Sequence, residues 1–359
     1  MREGTVKSRA LIAAALACAG ATAAFAQATP ERTLRTAQSV SSPWAGPNAG
    51  ILGSVQCDSA GNLYVRPVVS VVSATNDIAP VVEVKRNGAK GSEFSLEEVT
   101  GPHKYLLGAN KFGQSYDFVG SFAVDAQGRV YLLSRRCALQ HCDTEVVQFN
   151  RGGKYQSDTK LAVSNFVPHQ LAVFSNGQFF VAGLLEGAGR PTTTYAGVFG
   201  HDGRLVSEIH FPSGPGESSA APFDRDGPGV ELSFVAADET GGVYLVRPVT
   251  DPVLYMIRDN GEVSQHSAIA LPFQNAVPVG ISYGGNGTVI IEFGKKIQGG
   301  VSSSGNFFSV IDVKNGHSVA NYTADARTGG VFGCFLPRSG FEFLAVRKGR
   351  MAIRLDPMD

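Results

Sequence analysis

A short phrase recurs six times along this chain: an apolar run, a glycine-bearing turn, and a second run that opens on aromatic or aliphatic residues. It reads Cys57-Asp58-Ser59-Ala60-Gly61-Asn62-Leu63-Tyr64-Val65, then Val124-Asp125-Ala126-Gln127-Gly128-Arg129-Val130-Tyr131-Leu132. It returns at Gly177 before Phe180-Val181 and at Ala237-Asp238-Glu239-Thr240-Gly241-Gly242-Val243-Tyr244-Leu245. Looser copies lie at Gly287 before Ile290-Ile291 and at Gly340 before Phe343-Leu344. The turn glycines are 67, 49, 64, 46 and 53 residues apart. Self-similarity at that spacing points to a propeller, a solenoid or an array, whose units bury their apolar faces only against one another.

Each phrase is followed by a second strand pair with its own turn. Examples are Val81-Val82-Glu83-Val84 before Asn87-Gly88, Val146-Val147-Gln148-Phe149 before Arg151-Gly152-Gly153, and Gly197-Val198-Phe199 before Asp202-Gly203. Asn260-Gly261 and Asn315-Gly316 close two more. Asn-Gly and Asp-Gly between apolar runs signal hairpins in which both turn residues take positive φ. Four strands per unit and six units give an all-β, six-bladed β-propeller of four-stranded antiparallel blades. The last phrase is followed by one further strand, Met351 to Leu355, so the stretch from Thr33 to Val40 is expected to supply the missing outer strand and close the ring. The Asp residues are expected to cap their turns through backbone amides, and Tyr64, Tyr131, Phe180 and Tyr244 to pack between blades. A single domain over residues 27–359 follows, with Gly101–Gln114 and Ser213–Gly229 as inserts within the ring.

This repeat pattern resembles the NHL-like and gluconolactonase-like superfamily of six-bladed propellers, over most of the chain after its first 26 residues. The resemblance implies the architecture. Gluconolactonase-like members would imply calcium- or zinc-dependent lactone hydrolysis with Glu, Asn and Asp ligands, but no such set maps onto this sequence residue by residue, so no metal site is assigned.

Residues 1–26 read as a secretory signal peptide: Arg2, Lys7 and Arg9 precede an apolar Ala10–Ala24 stretch and the Ala24-Phe25-Ala26 cleavage motif. The stretch is too short and alanine-rich to span a bilayer. Export implies a secreted or periplasmic protein, with lipid attachment at Cys18 the lesser alternative. Of 31 basic and 31 acidic residues, 28 and 30 remain after cleavage, which excludes the basic footprint of a nucleic-acid binder. Four cysteines remain as well. The Cys137–Cys142 loop favours a disulfide in an oxidising compartment. Cys57 and Cys334 would be neighbours in a closed ring and could pair; two buried thiols acting as small apolar groups is the expectation.

Local motifs carry little chemistry. Gly280-Ile281-Ser282-Tyr283-Gly284 has the spacing of a nucleophile elbow but is followed by a strand and not a helix. Asp224-Arg225-Asp226-Gly227 lacks the flanking acids of a calcium loop. The informative variation lies after the second strand of each unit. Arg66-Pro67 and Arg247-Pro248 are near copies; Arg135 and Arg136, Arg190-Pro191, Lys295-Lys296 and Arg347-Lys348 occupy comparable places. A cation per blade on one face would focus anions, and arginine suits bidentate contact with carboxylates. Asp117, His169 and Glu231 enter the inner strands from the same face. The function expected is an exported, monomeric binding module for an anionic glycan, a peptide or a partner protein, with no cofactor. The alternative is a metal-assisted hydrolase or lyase at the channel mouth, using calcium or zinc on Asp117, His169 and Glu231.

Overall fold

The repeated phrase folds as a tight hairpin turn held by its own aspartate. In the first copy, Asp58 Oδ1 accepts the backbone N–H of Ala60 and of Asn62, both at 2.9 Å. Its Oδ2 accepts the Asn62 side-chain amide at 2.9 Å and the Tyr64 hydroxyl at 3.2 Å. The second and fourth copies repeat this: Asp125 binds Gln127, Arg129 and the Tyr131 hydroxyl, and Asp238 binds Thr240, Gly242 and the Tyr244 hydroxyl. Burial, with the adjacent carboxylate, pushes each of these phenols well above its usual range, so each remains a donor. In the third copy Asn176 takes the aspartate's role towards Gln178, and Phe180 carries no hydroxyl.

The structure is a computed structural model that describes residues 31–41, 50–68, 79–99, 115–138, 141–186, 193–211, 233–248, 251–297, 300–324, 331–336, 340–347 and 350–356. Two strands come first, β1 (Glu31–Leu34) and β2 (Gln38–Ser41). The first blade is β3 (Gly50–Cys57), β4 (Leu63–Val68), β5 (Val81–Val84) and β6 (Lys90–Phe94). The second is β7 (Ser115–Val124), β8 (Val130–Ala138), β9 (His141–Phe149) and β10 (Tyr155–Ser164). The third is β11 (Phe166–Val173), β12 (Phe179–Leu185), β13 (Thr193–Phe199) and β14 (Leu205–Glu208). The fourth is β15 (Phe234–Ala237), β16 (Gly242–Val246), β17 (Val253–Arg258) and β18 (Val263–Ala268). Then come β19 (Ala276–Gly285), β20 (Thr288–Ile297), β21 (Gly300–Asp312) and β22 (Ser318–Ala324), and last β23 (Val331–Leu336), β24 (Gly340–Arg347) and β25 (Arg350–Asp356).

These strands make an all-β propeller of antiparallel sheets. Six four-stranded blades were expected; five sheets have four strands, and the sheet β19–β22 has five. The fifth is β1, which adds in parallel to the outer edge of β22, because an outermost strand presents unpaired N–H and C=O groups that a further segment can satisfy. The N-terminal region is therefore shared between two sheets. Thr33 pairs with β22, whereas Gln38–Ser41 pairs antiparallel with β25 as the outer strand of the last sheet. The long segments 101–114 and 213–229 lie outside the described residues.

Turn geometry also differs from the expectation. Both residues of an Asn-Gly turn take positive φ at Asn286-Gly287 (51° and 73°), as in a two-residue hairpin. At Gly61, Gly88, Gly128, Gly153, Gly177, Gly203, Gly241 and Gly261 the glycine alone does so. There the hydrogen bonds close a three-residue loop, as in Gly61 N–H to Asp58 C=O and Asp58 N–H to Asn62 C=O. This is a type I turn followed by a bulge glycine, which needs positive φ only at the glycine.

The sheets pack face to face through apolar clusters, each drawn from two neighbours. Tyr64, Phe94, Phe122, Val130 and Phe149 fill the first junction. Tyr131 and Phe166 lie in the second, Phe180 and Tyr255 in the third, and Tyr244 and Phe293 in the fourth. Phe308, Phe341 and Phe343 join the last two sheets, and Val55, Leu63, Val65 and Leu344 join the last sheet to the first. Outer hairpins dock on the preceding blade, so that a Cβ on Gly203 would lie 1.9 Å from the Lys160 carbonyl oxygen.

Two stability outcomes follow. Asp58→Ala removes the acceptor of four donors in a buried turn and should lower unfolding free energy in urea by about 2–4 kcal/mol; a loss below about 0.5 kcal/mol would show the turn indifferent to its cap. Gly203 and Gly177 share positive φ, 78° and 85°, but a Cβ at Gly177 meets nothing within 4 Å. Gly203→Ala should therefore cost about 2 kcal/mol more than Gly177→Ala, which bears only the roughly 1 kcal/mol backbone penalty.

Candidate functional site

Up-and-down connectivity sorts the polar residues by end. Turns joining first to second and third to fourth strands share one end, here the turn end. Connections from second to third strands, and from one sheet to the next, share the other, the connection end. Arg66 lies near the connection end of β4, Arg135 near that of β8, and Arg247 directly after β16.

All three arginines are buried, at 5%, 3% and 6% exposure, and not spread on a solvated loop. Arg66 Nη1 donates to the Val119 carbonyl on β7 at 2.9 Å, and its Nε donates to the Ala79 carbonyl at 3.2 Å. Arg135 pairs with Glu186, which follows β12. Arg66 and Arg135 thus reach from the second strand of their own blade into the next blade. A buried guanidinium needs such partners, because an uncompensated charge in the interior is expensive. Arg136 lies 3.5 Å from Glu145, whereas Lys295 and Lys296 on β20 are exposed. Arg190 and Glu231 lie outside the described residues, as do the side chains of Arg347 and Asp117; the Asp117 backbone stands opposite Arg136 in the β7–β8 ladder.

His169 occupies a special backbone position. Pro168 pairs with Gly183 and Gln170 with Ala182, which leaves His169 as the extra residue of a bulge in β11. Innermost strands bulge repeatedly, at Gly120 in β7, Val279 in β19 and Gly333 in β23. A bulge re-aims its side chain and bends the strand. His169 is the polar member of this set and is partly buried.

Two polar features escaped the sequence reading, the amide of Gln56 and a pair of buried glutamates. Gln56 on β3 donates to the Phe122 carbonyl at 2.6 Å and accepts the Val124 N–H at 2.9 Å, so one side-chain amide acts as a short ladder between two innermost strands. Glu292 and Glu342 are buried on the second strands of the last two sheets. Burial pushes Glu292 up to about 7. Glu342 is pushed up to about 7 by burial, which outweighs the lowering by Arg86 and is reinforced by Asp58. The available signal was an acid inside an apolar run, as in Ile290-Ile291-Glu292-Phe293 and Phe341-Glu342-Phe343. On β9, Asp143 accepts bonds from Lys160 and His141, both at 2.7 Å. Partial burial raises the Asp143 carboxyl, and these two bonds outweigh it and hold it below its ordinary range.

Both cysteine pairs are disulfides. Cys137–Cys142 was expected; Cys57–Cys334 was expected as two thiols, and the structure joins them across β3 and β23 with a Cα separation of 6.1 Å. Ser282 lies inside β19, its hydroxyl accepting the Phe335 N–H at 3.3 Å, so no strand-to-helix elbow forms. Among the described residues the one group of His, Cys, Asp or Glu side chains at metal-ligand spacing is Cys57, Cys334 and Glu342. The 224–227 segment lies outside the described residues, and no described helix is long and apolar enough to cross a membrane.

No protein-family model matches the chain, and no curated protein sequence matches it. Solved structures do resemble it in fold. A Hadza microbial sialidase aligns with a TM-score of 0.50 at 8% identity, covering 84% of this chain and 64% of its own. A protein of unknown function from Dyadobacter fermentans aligns at 0.49 and 11% identity, covering 91% and 99%. Another of unknown function, from Bacteroides caccae, aligns at 0.44 and 11%, covering 80% and 86%. At these identities the likeness concerns the fold alone.

Glu292 generates a pH-dependent outcome. Its folded pKa of about 7 lies above the ordinary 4.5. The folded state therefore holds a proton that the unfolded state has lost between those values. Its stabilising contribution is complete below about pH 4.5 and is gone once pH has risen past about 7, a change of about 3 kcal/mol. Glu292→Gln should show a flatter stability–pH curve over this window in denaturant titrations. A wild-type-minus-variant difference that stays constant with pH would refute the assignment.

Proposed function

We propose that the protein is an exported binding propeller that presents its connection end to an anionic ligand, a glycan or an acidic peptide segment of a partner. What supports this reading is that Arg66, Arg135, Arg247, Lys295 and Lys296 each stand at or just beyond the connection end of the second strand of their own sheet. The buried arginines set the blade junctions there and contribute positive potential from fixed positions; the exposed lysines can contact a ligand directly. From the sequence reading, Arg190, Asp117 and Glu231 would join them. Long connections over a rigid scaffold are where binding residues tend to collect.

Further elements of the reading rest on the sequence. Residues 1–26 would be removed after Ala26, and the two disulfides fit the oxidising compartment to which such a leader sends a chain. The five-stranded sheet would serve as a blade like the others, completing a six-bladed ring of NHL-like repeats that Gln38–Ser41 closes through its pairing with β25. The module would act as a monomer.

The test is retention of the purified protein on immobilised sulfated and uronate-containing glycans and acidic peptides at low salt. Lys295→Glu/Lys296→Glu should weaken retention about tenfold without changing the melting temperature, and added salt should weaken it in parallel. Absence of retention on every anionic surface, or equal retention of the double variant, would exclude the reading.

A further inference from the structure

At the opposite, turn end, the junction of the last and first sheets combines a disulfide with a carboxylate that has no hydrogen bond. Cys334 and Glu342 face each other across the β23–β24 ladder, and Cys57 arrives from the end of β3. One potential ligand atom from each residue lies within 4.8 Å of the others. Glu342 is completely buried, yet neither of its carboxylate oxygens has a hydrogen-bond partner. Its nearest cation is the half-exposed Arg86, with Nε 3.6 Å from Oε1. The chain makes room for this group: a Cβ on Gly61 would lie 3.1 Å from Glu342 Oε1 and 2.6 Å from Leu336 Cδ1. Buried carboxylates are ordinarily bonded, so one left bare beside two sulfurs asks for a partner.

We propose that Cys57, Cys334 and Glu342 form a redox-gated site for one thiophilic divalent cation such as zinc, shut in the disulfide form and opened by a dithiol reductant. The reductant delivers two electrons and two protons: the S–S bond breaks, two thiols form, and the dithiol closes its own disulfide. Cation binding then releases the two thiol protons. A tetrahedral ion with Zn–S bonds of about 2.3 Å needs sulfurs roughly 3.8 Å apart. Backbones 6.1 Å apart at Cα permit that opening by side-chain rotation. Two thiolates and a carboxylate carry three negative charges, which the divalent ion and Arg86 together neutralise. Asp58 is not the fourth ligand, since Ala60, Asn62 and Tyr64 occupy its oxygens. Water takes that position, and the partial exposure of Cys57 gives the way in. The bound ion would hold the first and last sheets together when the disulfide no longer does. This inference is independent of the ligand proposed for the connection end.

The test uses the full chain carrying Cys137→Ser and Cys142→Ser, which removes the other dithiol. After reduction with dithiothreitol and anaerobic desalting, cadmium is titrated while thiolate-to-cadmium charge-transfer absorption, native mass and far-ultraviolet circular dichroism are followed. The expected result is one cadmium per reduced chain, a raised melting temperature and no uptake by the oxidised chain. Cys334→Ser should abolish the absorption band, and Glu342→Gln, which keeps the shape of the side chain, should weaken binding by at least about tenfold. Equal uptake by the oxidised chain or undiminished affinity in Glu342→Gln would overturn the proposal. So would loss of the strand signal on reduction that cadmium fails to restore.

Discussion

A sheet with apolar side chains on both faces can leave neither face in water, and each sheet of this protein is of that kind. Val65 and Tyr64 on β4 are neighbours in sequence, so they point to opposite faces and enter different clusters, one shared with the last sheet and one with the second blade. Tyr131 and Leu132, and Tyr244 and Leu245, divide in the same way. Stacking is therefore obligatory in both directions, and the last sheet must meet the first. That final junction has the leanest core among the described residues, with Val55, Leu63, Val65, Val84, Cys334 and Leu344 and no aromatic ring. The neighbouring junction holds Phe308, Tyr322, Phe332, Phe341 and Phe343. The Cys57–Cys334 disulfide stands where the apolar contact is thinnest. Linking residues 277 apart removes about 6 kcal/mol worth of unfolded-chain freedom on the chain-entropy view.

Stacking in a circle crowds the innermost strands, and their polar groups have to be satisfied there. The bulges of β7, β11, β19 and β23 interrupt regular pairing with the second strands. Side chains then supply bonds that ladders cannot: Gln56 serves Phe122 and Val124, and Arg66 serves Val119. The proposed binding end and the blade junctions thus share residues. Arg66 and Arg135 each tie two blades, so their removal would perturb packing as well as charge, whereas the exposed lysines separate charge from packing.

Much of the fold was legible because turn chemistry is local. An aspartate, a glycine three residues later and a tyrosine six residues after the aspartate suffice to write the hairpin, since every hydrogen-bond donor to Asp58 lies between Ala60 and Tyr64. The type of turn was less legible. Asn-Gly reads as a two-residue hairpin, but Asn87-Gly88 and Asn260-Gly261 sit one residue later in a three-residue loop, and only ladder register tells the two apart. The candidate site was legible in position and not in environment. Arg66 lies near the end of its strand and Arg247 directly after its own, close to where the sequence suggests, but whether such a residue lies in solvent or under the next blade depends on how closely that blade approaches.

The sequence by itself determined the repeat, the hairpins, the aspartate-capped turns and the aromatics that fill the junctions, because each depends on residues a few positions apart and on alternation along a strand. Tertiary structure decided what depends on distant segments meeting. It joined Cys57 to Cys334, split the N-terminal strands between two sheets and buried the arginines. It also placed Glu292 and Glu342 where burial changes their acidity. Stacking brings these groups out of water and against partners many residues away, and no local pattern records how deep a side chain will finally lie.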